Sequence, residues 1–142
     1  MSSQTVTYVE KACAYITRED GALLVFRSAE DDRLQVPKGT IEAGESPSNA
    51  VLREIEEESG LAAVGDTTHL ATDVWNRRDS PPKRYVRHFF HTTVHEPRER
   101  WTHVVTGEGA ERGMAFEYSW LDLPAAAEFA LELDDYLHLL DA

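Results

Sequence analysis

The stretch Ser46-Pro-Ser-Asn-Ala-Val-Leu-Arg-Glu-Ile-Glu-Glu-Glu-Ser-Gly60 most constrains what this chain can fold into. Ser46 is an N-cap, Pro47 fits the first helical position, and Gly60 supplies the left-handed residue that ends a helix. At ~100° per residue, Glu54, Glu57 and Glu58 fall within one arc of about 100°. Val51, Leu52, Ile55 and Ser59 gather roughly 110° away, on a face that can pack against a sheet. Glu56 points to neither. Like charges at i, i+3 and i+4 cost a helix ~0.2–0.5 kcal/mol per pair. Arg53 alone cannot neutralise three carboxylates. A hard divalent cation such as Mg²⁺ or Mn²⁺ can, because both favour oxygen ligands. A merely solvated acidic face is the competing reading of the helix by itself.

The rest of the chain supplies strands. Val6 to Thr17 is largely β-favouring, Asp20-Gly21 is a hairpin-type turn, and Leu23 to Phe26 is apolar, which predicts a hairpin from about Ala12 to Arg27. Val36-Pro37-Lys38-Gly39 begins a loop punctuated by Gly39, Gly44 and Pro47. Val64 to Trp75 reads as a strand. Arg84 to His95 is a second, with Val86, Phe90 and Val94 on one side and Tyr85 and Phe89 on the other. Thr102 to Gly113 holds three glycines and reads as a loop, and Ala115 to Leu121 as a strand. Pro124 opens a closing helix, on which Phe129, Leu133, Tyr136, Leu137 and Leu140 form an apolar stripe. No repeat or linker interrupts this order, so the reading is one α+β domain over residues 1–142.

Composition narrows the function. Apolar residues make up 42% and charged ones 28%, as in an ordinary soluble globular domain. No run approaches the ~18 apolar residues of a membrane helix, and the first residues lack a signal-peptide hydrophobic region. One cysteine, Cys13, excludes an internal disulfide and a multi-cysteine zinc site, and a cytoplasmic location is expected. Fourteen Lys and Arg against 26 Asp and Glu give a net charge of −12, which argues against a general nucleic-acid binder. Such a chain repels phosphates unless a cation or a local basic patch intervenes. A basic cluster exists: Arg77, Arg78, Lys83, Arg84 and Arg87 crowd around Pro81-Pro82. It is either a polyphosphate-facing loop or a charged hairpin tip. Strand alternation puts Tyr85 and Arg87 on one face. Trp75, Tyr85 and Trp101 are available to stack on a base or to pack, and the strand pattern accounts for His88, His91 and His95 without a metal role.

The full spacing decides between the readings of the acidic helix. Gly39-x5-Glu45-x7-Arg53-Glu54-apolar-x-Glu57-Glu58-x-Gly60-apolar resembles the Nudix box, from Gly39 to Leu61, at every defined position. The resemblance implies a Nudix-type α/β/α sandwich with a central mixed sheet, in which the box forms a loop-helix-loop holding Mg²⁺ or Mn²⁺. It implies hydrolysis of a phosphoanhydride in a nucleoside diphosphate linked to another moiety, hence a small nucleotide or polyphosphate substrate. By position, Glu54, Glu57 and Glu58 would ligate metal together with the backbone carbonyl of Lys38. Glu54 and Glu57 would be catalytic, Glu54 being the leading candidate to deprotonate the attacking water. Glu45 and Arg53 would pair to fix the loop, and Gly39, Gly44 and Gly60 would shape the backbone. Many members also use a later acid, for which Glu108, Glu111 and Glu117 are available here; on the polyphosphate-facing reading of the basic cluster, Arg77, Arg78, Lys83, Arg84, Tyr85 and Arg87 would bind substrate. Pro37-Lys38-Gly39 before the box looks like the branches acting on dinucleoside polyphosphates or diphosphoinositol polyphosphates. Enzymes that sanitise nucleoside triphosphates more often carry Pro-Gly-Gly there. The expectation leans to dinucleoside polyphosphates, with nucleoside triphosphate pyrophosphohydrolase and diphosphoinositol polyphosphate hydrolase as alternatives. A nucleotide-sensing domain without catalysis is the non-enzymatic alternative, although such domains tend to lose box carboxylates and every one is present here.

Overall fold

The computed structural model describes residues 6–76 and 83–140. Alternation along the first strand, β1 (Thr7–Thr17), divides the molecule into two cores. Ala12, Ala14 and Ile16 enter one, and Cys13 and Tyr15 the other. Seven further strands complete the sheet among the described residues: β2 (Leu23–Ser28), β3 (Asp31–Gln35), β4 (Lys38–Thr40), β5 (Thr68–Asn76), β6 (Lys83–Thr93), β7 (Trp101–Val104) and β8 (Ala115–Leu121). The order is β5-β6-β1-β2-β8-β7. The pairing of β1 with β6 is parallel, from Thr7↔Lys83 to Thr17↔Thr93, and the others are antiparallel, so the sheet is mixed.

The turn at Asp20-Gly21 joins β1 to β2 as the sequence predicts, with Asp20 Oδ1 accepting from the Ala22 amide at 3.0 Å. The two strands pair at Thr17↔Leu23 and then part. Into the opening come β3, against β2, and β4, against β1 with Cys13 opposite Lys38 and Lys11 opposite Thr40. This split carries Lys38 and Gly39 to the foot of the helix α1 (Pro47–Ser59).

The helix has the predicted ends. The Ser46 side chain accepts from the Asn49 amide at 3.2 Å, and Gly60, at φ 81°, returns its N–H to the Glu56 carbonyl. Ala50, Val51 and Ile55 pack on the Ala12–Ile16 side of the sheet, with Leu61, Phe90 and Phe116. Leu52, expected on that face, is 42% exposed, and Ala50 takes its place. No helix among the described residues is long and apolar enough to cross a membrane.

Two further expectations are corrected. The loop expected from Thr102 begins later, because Trp101–Val104 pairs with β8 and all three glycines lie beyond it. The closing helix is replaced by two short 3₁₀ turns, Ala130–Glu132 and Leu137–Leu140. Phe129 and Leu133 still cover the second core, beside Tyr15, Leu34 and Phe89, so the apolar stripe reaches its target without a helix. The reason lies in the acceptors. Arg87 takes the Leu131 carbonyl at 3.0 Å and Tyr15 takes that of Leu133, 2.6 Å from its hydroxyl. Held in this way, Leu131 and Glu132 take φ of 55° and 53°, which no right-handed helix can pass through.

Candidate active site

Arg53 organises the acidic face. Its Nε and Nη2 grip Glu45 in a two-point pair of 2.8 and 2.9 Å, and Nη2 also donates to the Thr40 carbonyl at 3.0 Å. Its Nη1 reaches Glu54 Oε1 at 2.8 Å and Glu57 Oε2 at 3.1 Å. The loop before α1 is thereby tied to the helix, and Glu45 is held far down, to about 2, chiefly by hydrogen bonds from Arg53. The other carboxyls are less well served. Glu54 is 8% exposed, and burial pushes its pKa up to about 7, with Glu57 and Glu111 adding to the rise against the attraction of Arg53. Glu58 is 2% exposed and accepts from the Lys38 amide at 3.1 Å. Burial raises its pKa strongly, and Glu111, whose carboxyl lies against it, raises it further. These are like charges gathered out of water, with Arg53 serving Glu54 and the Lys38 amide and charge serving Glu58.

The far end of α1 is capped by side chains from the sheet and by one backbone amide just beyond β7. The Glu57 carbonyl accepts from the Thr106 amide at 3.0 Å and from His103 Nε2 at 2.9 Å. Tyr118 donates to the Glu58 carbonyl at 2.7 Å, and Trp101 Nε1 to that of Ser59 at 3.0 Å. Carbonyls that would otherwise be unpaired at a helix C-terminus are satisfied, and the acidic face is fixed in rotation. The following segment, 105–114, closes on itself through Val105 and Met114 at 2.9 Å and delivers Glu111 to Glu58. Two glycines make room. A Cβ on Gly39 would run into the Glu54 carboxylate, and one on Gly107 (φ 89°) would lie 2.5 Å from Glu57 Cδ.

These carboxylates line a cavity of about 230 Å³, together with Lys11, Arg53 and Glu108. A second, of about 270 Å³, shares Lys11, Gly39 and Glu111 with it and is walled by Cys13, Trp75, Tyr85, Leu131 and Leu133. Lys11 stands between them, donating to Thr40 Oγ1 at 2.8 Å and lying 5.8 Å from the Tyr85 ring centre. Burial, and then the Lys38 charge, lowers its pKa. Burial raises the Cys13 thiol to about 12, which leaves it inert as a nucleophile.

The structure thus gathers Lys38, Gly39, Glu45, Arg53, Glu54, Glu57 and Glu58, with Gly60 at the helix end. Of the three later acids, Glu111 and Glu108 line the acidic cavity, while Glu117 lies on β8 beside Arg27 and Thr102. The basic cluster divides. Lys83 and Arg84 are exposed at the start of β6, Tyr85 lines the second cavity, and Arg77 and Arg78 lie outside the described residues. Arg87 lines the same cavity as Tyr85, as the strand alternation predicts. It is 3% exposed, and Asp73 (2.9 and 2.6 Å) and Asp135 (3.1 Å) take up its guanidinium. Trp75 joins Tyr85 at the cavity, whereas Trp101 stacks on Tyr118 elsewhere, centroids 5.2 Å apart. Sequence reasoning missed Lys11, which carries no motif and reaches the site through the register of β1 with β4.

Glu54, Glu57, Glu58 and Glu111 offer oxygen alone, the donor set of a hard divalent cation. Among the described residues no three acidic, histidine or cysteine side chains are already gathered in ligand geometry. Arg53 draws Glu54 Oε1 and Glu57 Oε2 to itself. The fit rests on the donors and on their crowding out of water.

Fold and site together define an α+β domain that presents an acidic helix face and a glycine-bearing loop at the split of a mixed sheet. The NUDIX domain pattern matches residues 7–140, and the chain belongs to that family. An RNA pyrophosphohydrolase from Psychrobacter sp. (strain PRwf-1) is 35% identical over 86 residues, 61% of this chain and 49% of that protein. Diphosphoinositol polyphosphate phosphohydrolase 3-alpha from Mus musculus is 36% identical over 94 residues, 66% of this chain and 54% of that protein. The chain spans about half the length of these curated relatives. Among solved structures, a MutT protein from Methanosarcina mazei Go1 shares the fold with a TM-score of 0.67 at 22% identity, covering 98% of this chain and 96% of its own.

Proposed function

We propose that this protein hydrolyses a phosphoanhydride bond in a nucleoside diphosphate linked to another moiety, with dinucleoside polyphosphates the favoured class. The observation that carries the proposal is the set of buried carboxylates, Glu54 and Glu58 on the helix with Glu111 against them, beside a cavity with basic and aromatic walls. Glu54, Glu57 and Glu58, with the Lys38 carbonyl, would hold Mg²⁺ or Mn²⁺. That ion, when bound, neutralises phosphate oxygens and acidifies water.

The chain's own groups do the rest. Arg53 orients Glu54 through Oε1, and the other oxygen of that carboxylate accepts the proton of the attacking water. Glu57 takes the same guanidinium and completes the catalytic pair. Lys11, between the cavities, meets the phosphate chain where it crosses from one to the other and stabilises the charge developing on it. Lys83 and Arg84 add positive potential at the exposed start of β6, and Arg77 and Arg78 belong with them by sequence. With a net charge of −12, binding of an extended nucleic-acid backbone is disfavoured, which favours a small substrate over RNA.

The diphosphoinositol relatives favour a second reading, in which the substrate is a base-free polyphosphate. The test is chromatographic detection of the hydrolysis products (nucleotides, pyrophosphate or phosphate) formed with Mg²⁺ or Mn²⁺ from diadenosine polyphosphates, nucleoside triphosphates and diphosphoinositol phosphates, with Glu57→Gln as control. Turnover of one class, reduced at least 100-fold in the variant, supports the proposal. Nucleotide binding without turnover of any of them replaces it with a sensing domain.

A further inference from the structure

Leu131 and Glu132 are consecutive and both sit in the left-handed backbone region, at φ 55° and 53°. Neither is a residue type that favours that region, so each is held against its preference. What holds them comes from the sheet. Arg87 Nη1 donates to the Leu131 carbonyl at 3.0 Å and reaches that of Glu132 at 3.5 Å. Arg87 is fixed in turn by Asp73 and Asp135, and the Tyr136 hydroxyl donates to Asp73 at 2.7 Å. The guanidinium also lies 5.4 Å from the Trp75 ring centre. One buried ionic group therefore sets the carbonyls of the C-terminal segment and the indole of β5 together.

Covering the second face of the sheet does not require this. The apolar spacing of Phe129, Leu133, Tyr136 and Leu140 allows a helix without left-handed residues. The conformation adopted instead puts Leu131 and Leu133 in the wall of the cavity that Trp75 and Tyr85 also line. Lys11, Lys38, Arg87 and Glu111 line the same cavity, and beside them this carbon and aromatic ring surface suits a flat, weakly polar group.

We propose that the Arg87–Asp73 pair is a latch that positions Leu131 and Trp75 as walls of a slot for a nucleobase, making the C-terminal segment a specificity determinant. This rests on the adjoining carboxylates being the hydrolytic site. Arg87 and Asp73 are positioning residues, and Leu131 is the residue that touches the base.

The test is calorimetric binding of AMP, GMP and UMP against ribose 5-phosphate, which keeps sugar and phosphate but lacks a base. The wild type should bind at least one nucleotide 10-fold or more tighter than ribose 5-phosphate. Leu131→Gly relieves the backbone and removes the wall; it should cut that preference at least fivefold while ribose 5-phosphate binding stays within twofold. Arg87→Lys, which keeps the charge but loses the fork, should do the same, and Leu131→Gly decides alone if that variant fails to fold. Glu132→Gly relieves the neighbouring residue outside the cavity and should keep the preference. A wild type with no preference overturns the slot, as does a preference that survives Leu131→Gly. Parallel loss of both ligands in Leu131→Gly shows a merely structural role and overturns it too. No turnover is measured, so failure of the hydrolase reading shows separately, in the substrate panel.

Discussion

Replacing Glu54 by glutamine should remove activity and make the metal-free protein more stable. Burial raises the Glu54 pKa from its ordinary 4.5 to about 7. At ~1.4 kcal/mol per pH unit, ionising this carboxyl in the fold costs about 3 kcal/mol more than in the unfolded chain. The direction follows from proton binding. Below pH 4.5 both states are protonated and nothing is lost. Between there and pH 7 the unfolded chain gives up its proton first, so stability falls as pH rises, and above pH 7 the whole penalty is present. Glutamine keeps an oxygen for Arg53 Nη1, 2.8 Å away in the wild type, and carries no charge. Thermal melts in EDTA should show Glu54→Gln melting higher at pH 8, by roughly 10 °C for a chain of this size, with the gap shrinking to a few degrees at pH 5. Equal melting temperatures at pH 8, or a less stable variant, would refute the reasoning that this site is held against the fold's own preference.

Arg53→Met should lower kcat/KM at least 100-fold and cost about 3 kcal/mol in denaturant melts, because Glu45, Glu54 and Glu57 lose their shared partner. Lysine should rescue it poorly, since the two-point grip on Glu45 needs the planar fork. Gly39→Ala drives a methyl into the Glu54 carboxylate and should lose most activity along with about 1–3 kcal/mol, read by turnover and melting together. Tyr118→Phe leaves the buried Glu58 carbonyl unpaired and should cost about 1–3 kcal/mol by denaturant unfolding.

The acidic helix was legible in the sequence because its determinants are local: a serine cap, a proline at the first position, a glycine at the end and carboxylates at fixed spacing. What surrounds it was not. Lys11 and Tyr118 reach α1 through strand registers that no short window contains, and Leu52 satisfied the apolar spacing while facing outward. The closing segment shows the limit of periodicity most clearly. Its stripe identified which residues face the sheet, but Arg87 and Tyr15, distant in sequence, hold the Leu131 and Leu133 carbonyls in a segment whose left-handed residues break the helix. Alternation put Arg87 on the face of Tyr85, where both line the cavity, but no short window showed that Asp73, opposite it across the β5–β6 pair, answers its charge inside the fold.

The central claim is that the crowded carboxylates on α1 exist to hold a divalent cation. Titration of the protein with Mn²⁺, followed by electron paramagnetic resonance, tests it most directly. The wild type should bind at least one ion, and Glu54→Gln combined with Glu57→Gln should weaken that binding at least 10-fold while the protein stays folded. Equal Mn²⁺ binding by both proteins would contradict the claim.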